Sequence, residues 1–463
     1  MTTVTCIRPV WCSAVSAAML VLSATMARAS CNDDLTQVAR SVSKSGAASA
    51  RSDGPAIEAL EPSAQLQWMA REAVKRSAQV GAVKLLADAA AFDVDEARGA
   101  ALPQVNLNGT LGPAAVKYSG VPVSKGLQTT GTFSVSGVLF DGGRIGQLTQ
   151  WRRELANAAR YGTQSAREQV VLEAISAAVE RNRYRVQAQV YQQYARKMGC
   201  LVEVLEQIVA EDRGRASELV QARKTLAQVE VSKDNALSAS RQLEARLRKL
   251  VGDQAPIGDS LAVPLGETPD RGEVLRLLAQ SFDLQQARAQ ADASERYAQA
   301  VVAGQKPQVS WVASSSGSLR GDTKSLTVQA GLSVSYNLFN GFADQAAANA
   351  ASKRAQSARQ QFEELQNARM ARVNEVFEAS TGSQERAKRY VEVLKDSDRV
   401  RSSTFQQWAQ LGRRSLFDVM SAESDHFNLR LAYVNALYDG YQANAQLRTM
   451  GGGLTAWLGV GEP

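Results

Sequence analysis

The residues of this chain that could do chemistry are few, and they do not gather. The single histidine, His426, stands beside Asp425 in helical sequence. Isolated there, it reads as a surface or packed side chain rather than a base or metal ligand. Of four cysteines, Cys6 and Cys12 fall in an N-terminal leader, Cys31 just after it, and Cys200 deep in helical sequence. That spacing supports neither a metal site nor a disulfide framework. Gly451-Gly452-Gly453 has no strand before it and no Lys-Ser/Thr after it, so it reads as a helix stop and not a phosphate loop. No catalysis, cofactor or metal is expected. The other charged groups of interest sit at two turns. One is Gly412-Arg413-Arg414-Ser415-Leu416-Phe417-Asp418-Val419, the other Gly214-Arg215-Ala216-Ser217-Glu218-Leu219. Charges at such turns are ordinarily solvated helix tips.

Long helices must position these turns. Ala, Gln, Arg, Glu and Leu dominate much of the chain, the composition of long helices and coiled coils. Of 11 prolines, none lies between Pro122 and Pro256 or between Pro307 and Pro463. Uninterrupted helices fit in those gaps, since an internal proline would break one. Residues 1–29 read as a signal peptide: Arg8 in a basic start, an apolar run from Val10 to Ala24, and Ala27-Arg28-Ala29 for cleavage. Lipidation of Cys31 is disfavoured, because Arg28 occupies the position where an apolar residue is wanted. The formal charge of +7 falls by two when Arg8 and Arg28 leave. Charges of both signs are mixed along the helices, which argues for a solvated surface and against nucleic acid as a partner.

One plan is written twice. Leu102-Pro103-Gln104-Val105 recurs as Lys306-Pro307-Gln308-Val309, and Phe140-Asp141-Gly142 as Phe339-Asn340-Gly341. The expected organisation is a flexible segment at 30–62, a first repeat at 63–252, a linker at 253–272, a second repeat at 273–450 and a tail at 451–463. Helical sequence at 63–100 is expected in two pieces around Gly81. The first repeat holds a strand pair at 103–140 and a long helix at 143–212. The second holds a strand pair at 307–339 and a long helix at 342–410. Gly142 and Gly341 mark the strand–helix junctions, and Gly214 and Gly412 the helix-tip turns.

The strand pairs alternate with a period of two. Leu326, Val328, Ala330, Leu332, Val334, Tyr336 and Leu338 share one face; Ser325, Thr327, Gln329, Ser333, Ser335 and Asn337 share the other. The polar face is small, neutral and rich in hydroxyls, as in a water-filled barrel lumen, and the apolar face suits outer-membrane lipid. A soluble sheet with one face on a core gives the same alternation. The leader and the absence of a core partner favour the membrane. Four strands cannot close a barrel, and open edges in lipid leave backbone groups unpaired. Several copies are therefore required. Two would give 8 strands and a nearly filled interior; three would give 12 and an open conduit.

This order of elements, with the matched residues above and Leu139-Phe140-Asp141-Gly142-Gly143 and Asn337-Leu338-Phe339-Asn340-Gly341, resembles the TolC family of outer-membrane efflux and secretion channels. The resemblance covers about 63–450. It implies a mainly α fold with membrane β, an α-helical barrel joined to an outer-membrane β-barrel. Each subunit gives four strands, and the homotrimer closes a 12-stranded barrel. It further implies a periplasmic tunnel closed at rest, a periplasmic adaptor, and an inner-membrane pump. The overall sequence is also similar to an exit component for a calcium-dependent toxin. An ABC transporter and an exported protein substrate of the RTX type follow from that. Small-molecule efflux and a soluble periplasmic coiled-coil scaffold are the alternatives.

The resemblance also places a gate at the tips. Arg414 matches an arginine that latches the closed tip, and Asp418 an aspartate projecting into the tunnel. Three such carboxylates face to face would repel, raise one another's pKa and attract cations. Ser421 stands where the family often has a second aspartate, which weakens that ring. The first-repeat turn lacks the aspartate, and Glu218 is assigned as a latch partner for a neighbouring arginine.

Overall fold

The computed structural model describes residues 61–117, 119, 123–253, 262–411 and 413–460. The leader, Cys31, most of the N-terminal segment, the middle of the linker and Gly412 lie outside the described residues. The elements run α1 (Pro62–Arg76), α2 (Ala78–Gly99), β1 (Gln104–Val116), β2 (Ser124–Phe140), α3 (Arg144–Glu211) and α4 (Ala216–Val251). The second copy follows with α5 (Arg271–Leu278), α6 (Phe282–Ala303), β3 (Gln308–Arg320), β4 (Thr323–Ser335), α7 (Ala343–Leu411) and α8 (Leu416–Met450), then a short α9 (Leu454–Trp457).

Several boundaries differ from the sequence expectation, each for a local reason. The first helical stretch divides at Ser77, whose hydroxyl accepts the Val80 N–H at 3.2 Å, and Gly81 sits inside α2. A serine cap satisfies a donor that the helix start leaves open. The second copy divides similarly, at Gln280-Ser281 between α5 and α6. β4 ends at Ser335, so Tyr336 and Leu338 lie beyond the strand. The segment after Met450 is not free: α9 folds back and buries Leu454 completely.

α3 has 68 residues and α7 has 69. At 1.5 Å per residue each is roughly 100 Å long. Helices of that length need lateral packing throughout. α4 supplies it for α3 through Leu219, Ala222, Leu226, Val229, Ala236, Ser240, Leu243, Leu247 and Val251. These steps of three, four and, once, seven are a coiled-coil seam. α7 packs on α8 in the same antiparallel manner. A main core joins α1, α3, α4, α8 and α9. A smaller one joins Val274, Leu278 and Leu284 to Val373, Val376 and Leu447.

The four strands form one antiparallel sheet in the order β1-β2-β3-β4. The two copies meet at β2–β3, where Gly137 pairs with Trp311. A Cβ at Gly137 would stand 2.6 Å from the Trp311 indole nitrogen, so the ring lies flat over the glycine. β1 and β4 are open edges in the single chain.

Candidate gate at the helical tips

Each strand pair hands over to its long helix through the same device. Gly142 and Gly341 have φ of +66° and +68°, the left-handed region that glycine enters without strain. At Gly142 a Cβ would also stand 2.7 Å from Lys306 Cβ. Asp141 then accepts the Gly143 and Ile145 N–H groups at 2.9 and 2.6 Å, and Asn340 accepts the Asp344 N–H at 3.4 Å. These side chains cover helix donors that would otherwise be orphaned. They fix where α3 and α7 start, and hence where their far ends lie.

At the second tip, Arg413, Arg414 and Ser415 connect α7 to α8. Ser415 caps α8: its hydroxyl accepts the Asp418 N–H at 3.2 Å, and Asp418 Oδ2 accepts the Ser415 N–H at 3.0 Å. This is a capping box. The Ser415 N–H, then the Ser415 hydroxyl, and to a lesser degree Arg414, hold the Asp418 carboxyl below the usual carboxylate range, against a small opposing desolvation. Within one chain Asp418 is thus a helix-start anion. The repulsion expected of a ring of such groups belongs to an assembly of copies. Arg414 turns back onto α7, where its Nε donates to Gln407 Oε1 at 3.3 Å.

The first tip is built differently. One 3₁₀ turn, Arg213–Arg215, separates α3 from α4. Asp212 Oδ1 accepts the Gly214 N–H at 2.9 Å. Arg223 reaches back to Glu206 at 2.6 Å and ties the two helices together. Glu218 Oε2 is buried with no hydrogen-bond partner among the described residues.

Just behind the second tip lies a buried charged cluster that the sequence reading did not single out. Glu423 on α8 is 1% exposed. It sits 3.4 Å from Arg401 on α7 and 4.0 Å from Lys197 on α3. Arg401 also pairs with Asp398 at 2.7 Å. Burial raises the Glu423 carboxyl, and the Arg401 and Lys197 charges pull it back down. His426, fully buried one turn on, approaches the Ser397 hydroxyl at 3.3 Å through Nδ1. Burial, with Arg401 and Arg430 adding to it, lowers its pKa to about 4. His426 is thus packed, and it is neutral at ordinary pH. The missed signal was periodic: Glu423 and His426 share the stripe of Leu416, Val419, Met420 and Phe427. Polar residues on an apolar stripe must find partners.

The cluster is the tipward end of a seam between the two hairpins. Gln442 donates to the Ser176 carbonyl at 2.9 Å, Arg183 reaches Asn435 at 3.1 Å and Asp439 at 3.2 Å, and Gln187 reaches Asn435 at 2.6 Å. Arg430 donates to Gln193, and Tyr194 stacks on Phe427 with centroids 4.5 Å apart.

Cys200, on α3 beyond this seam, is disulfide-bonded. No group of three or more His, Cys, Asp or Glu suited to a metal occurs among the described residues.

Comparison with known proteins bears on this geometry. Residues 274–453 match the family model for outer membrane efflux proteins. Proteins of that family are passive conduits and not enzymes. The matched stretch runs from α5 to the glycine turn and includes β3, β4, the second tip and the Glu423 cluster. No curated protein matches the sequence. Among solved structures, the outer membrane protein VceC of Vibrio cholerae is 20% identical with a TM-score of 0.75, over 84% of this chain and 96% of that one. A membrane protein of Pseudomonas aeruginosa is 17% identical with a TM-score of 0.77, over 87% and 98%. The open-state MtrE outer membrane channel of Neisseria gonorrhoeae is 16% identical with a TM-score of 0.70, over 84% and 89%. The fold is that of the TolC-like channels, long helical hairpins joined to a four-stranded antiparallel sheet, as the duplicated plan implied.

Proposed function

We propose that three copies of this chain form an outer-membrane exit duct with its helical tunnel in the periplasm. The observation that carries this is the sheet. Between Gln104 and Ala114, Leu127 and Leu139, Gln308 and Ser318, and Ser325 and Ser335 it contains no Lys, Arg, Asp or Glu. One face exposes Leu107, Leu111, Leu127, Leu326, Val328 and Leu332 to surroundings that no other part of the chain covers. Both sheet edges are open, and lipid tolerates no open edge. Three copies close twelve strands around a water-filled lumen. The exposed Leu85, Leu86 and Phe92 of α2 are apolar surface for a neighbouring copy. No helix of the described residues is long and apolar enough to cross a membrane.

The duct is passive, so a pump in the inner membrane and a periplasmic adaptor drive it. We assign it to type I protein secretion, with an ABC transporter and an RTX-type protein cargo, on the overall sequence resemblance. The description of the matched family as efflux proteins favours a second reading, small-molecule efflux. Purified protein reconstituted in planar bilayers is expected to form trimers with unitary conductance. Extraction without detergent and no current would instead indicate a soluble scaffold. Deletion in the native host then separates cargoes. Loss of one secreted protein with unchanged drug sensitivity supports secretion; the reverse supports efflux.

A further inference from the structure

The far end of the sheet, away from the helices, has a chemistry of its own. Its turns carry Lys117, Lys125, Arg320 and Lys324 against one acid, Asp322. Strand register sorts these charges by face. Ala115 pairs with Lys125, and Leu319 pairs with Lys324. Leu127, Leu319 and Leu326 stand on the outward face at 64%, 45% and 74% exposure. Lys125 and Lys324 share that face, each two residues beyond an outward leucine, because strand side chains repeat every two residues. Lys117, two residues past Ala115, continues the same face. Arg320 belongs to the opposite, lumen-side set.

Lys117 directly follows the last residue of β1, two positions past the Ala115 that pairs with Lys125. None of the three lysines has an ion-pair partner among the described residues. In the assembled barrel, β4 of one copy would meet β1 of the next, bringing Lys324 beside another Lys117. A ring of uncompensated cations therefore borders the apolar band on the side opposite the tunnel. If the band lies in lipid, as proposed above, the ring stands at the headgroups of the outer leaflet. Polar ammonium groups above an apolar stripe fit an amphiphile with acyl chains below and phosphates above.

We propose that Lys117, Lys125 and Lys324 form a collar that binds the phosphate groups of a phosphorylated glycolipid in the outer leaflet. The inference rests on the membrane reading of the sheet, so the test has an arm for each. Full-length trimer is floated with phosphatidylcholine vesicles, with and without bis-phosphorylated lipid A. Flotation with plain phosphatidylcholine reads membrane embedding, and the triple Lys→Gln variant is expected to float as the parent does. Failure of both to float would remove the membrane reading itself. Lipid A retained by the purified trimer reads the collar. Affinity is expected to fall roughly fivefold for each lysine removed, to weaken with salt, and to survive in the triple Lys→Arg variant. Equal retention by the parent and the Lys→Gln variant would overturn the collar. Full displacement by millimolar inorganic phosphate would also overturn it, since the site would then recognise the free ion.

Discussion

The two helical hairpins share one plan, yet they bury their charges differently. In the first, α3 packs against α4, α2, α6 and α8, and its tip ion pair, Arg223–Glu206, lies in solvent. In the second, α7 leaves much of its length exposed, including Val391, Val393 and Val400. Its attachment near the tip runs through Glu423, buried between Arg401 of its own hairpin and Lys197 of the other. The first hairpin completes its packing within the chain. The second depends on a charged clasp and, in an assembly, on a neighbour. A duplicated sequence has thus produced a hairpin tip tied by an exposed ion pair and one backed by a buried charged cluster. The packing of the first hairpin follows from apolar burial, which is not directional. The clasp follows from desolvated charge, which fails when one partner leaves.

Removing Glu423 should test that contrast most severely. Glu423→Ala leaves two cations without their buried anion and is expected to cost about 3–5 kcal/mol. Thermal unfolding and limited proteolysis of the tips would measure it. The loss should appear as cleavage on α7 and α8 before α3. Removal of the exposed pair by Glu206→Ala should cost about 1 kcal/mol or less. Equal effects from the two would erase the distinction between the hairpins.

Acid should sharpen it next. His426 meets the Ser397 hydroxyl of α7 and the Phe427 ring of its own helix, and the charges of Asp398, Arg401 and Arg430 act on it. Its pKa of about 4 lies below the ordinary 6.5. As pH falls, the unfolded chain takes the proton first. The stability conferred by neutral His426 is therefore full above 6.5 and is lost as pH drops toward 4, by about 3 kcal/mol. Glu423 acts in the opposite sense, because its raised carboxyl protonates earlier in the folded chain. A His426→Phe variant should flatten the decline in melting temperature over that window. An unchanged profile would place the acid-sensitive group elsewhere.

Smaller effects belong to the tip itself. Ser415→Ala removes the capping box and is expected to cost about 1 kcal/mol, read as faster amide exchange in the first turn of α8 with α4 unaffected. Asp418→Ala removes the other half of that box, so a loss of about 1 kcal/mol or less is expected, and it should alter cation block or conductance in bilayers. Identical block in parent and variant would remove Asp418 from the gate.

Much of the fold was legible because it rests on periodicity. The two strand pairs, the two long helices and the breaks near 212 and 412 follow from alternation, proline-free runs and glycine. The FDGG and FNGF junctions were visible as repeats, and their reason, an Asx side chain over a helix start and a left-handed glycine, came with the coordinates. The docking of the tail was not legible, because Glu168, which accepts the Leu454 N–H at 2.7 Å, lies 286 residues away in sequence. Asp418 was noticed at its turn, but its reciprocal bonds with Ser415 required the α8 start to be placed. Glu423 was passed over because a single glutamate in a charged helix looks solvated.

The sequence by itself determined the duplication, the helix and strand periods, and the absence of charge across the sheet. Those are local properties, set by side-chain size, backbone freedom and hydrophobicity. Only the tertiary structure decided which charges are buried, that Lys197, Arg401 and Glu423 converge from three helices, and which lysines share the outward face of the sheet. Convergence depends on how long helices cross and how strands register. No single segment encodes either, because both are fixed by packing between residues far apart in the chain.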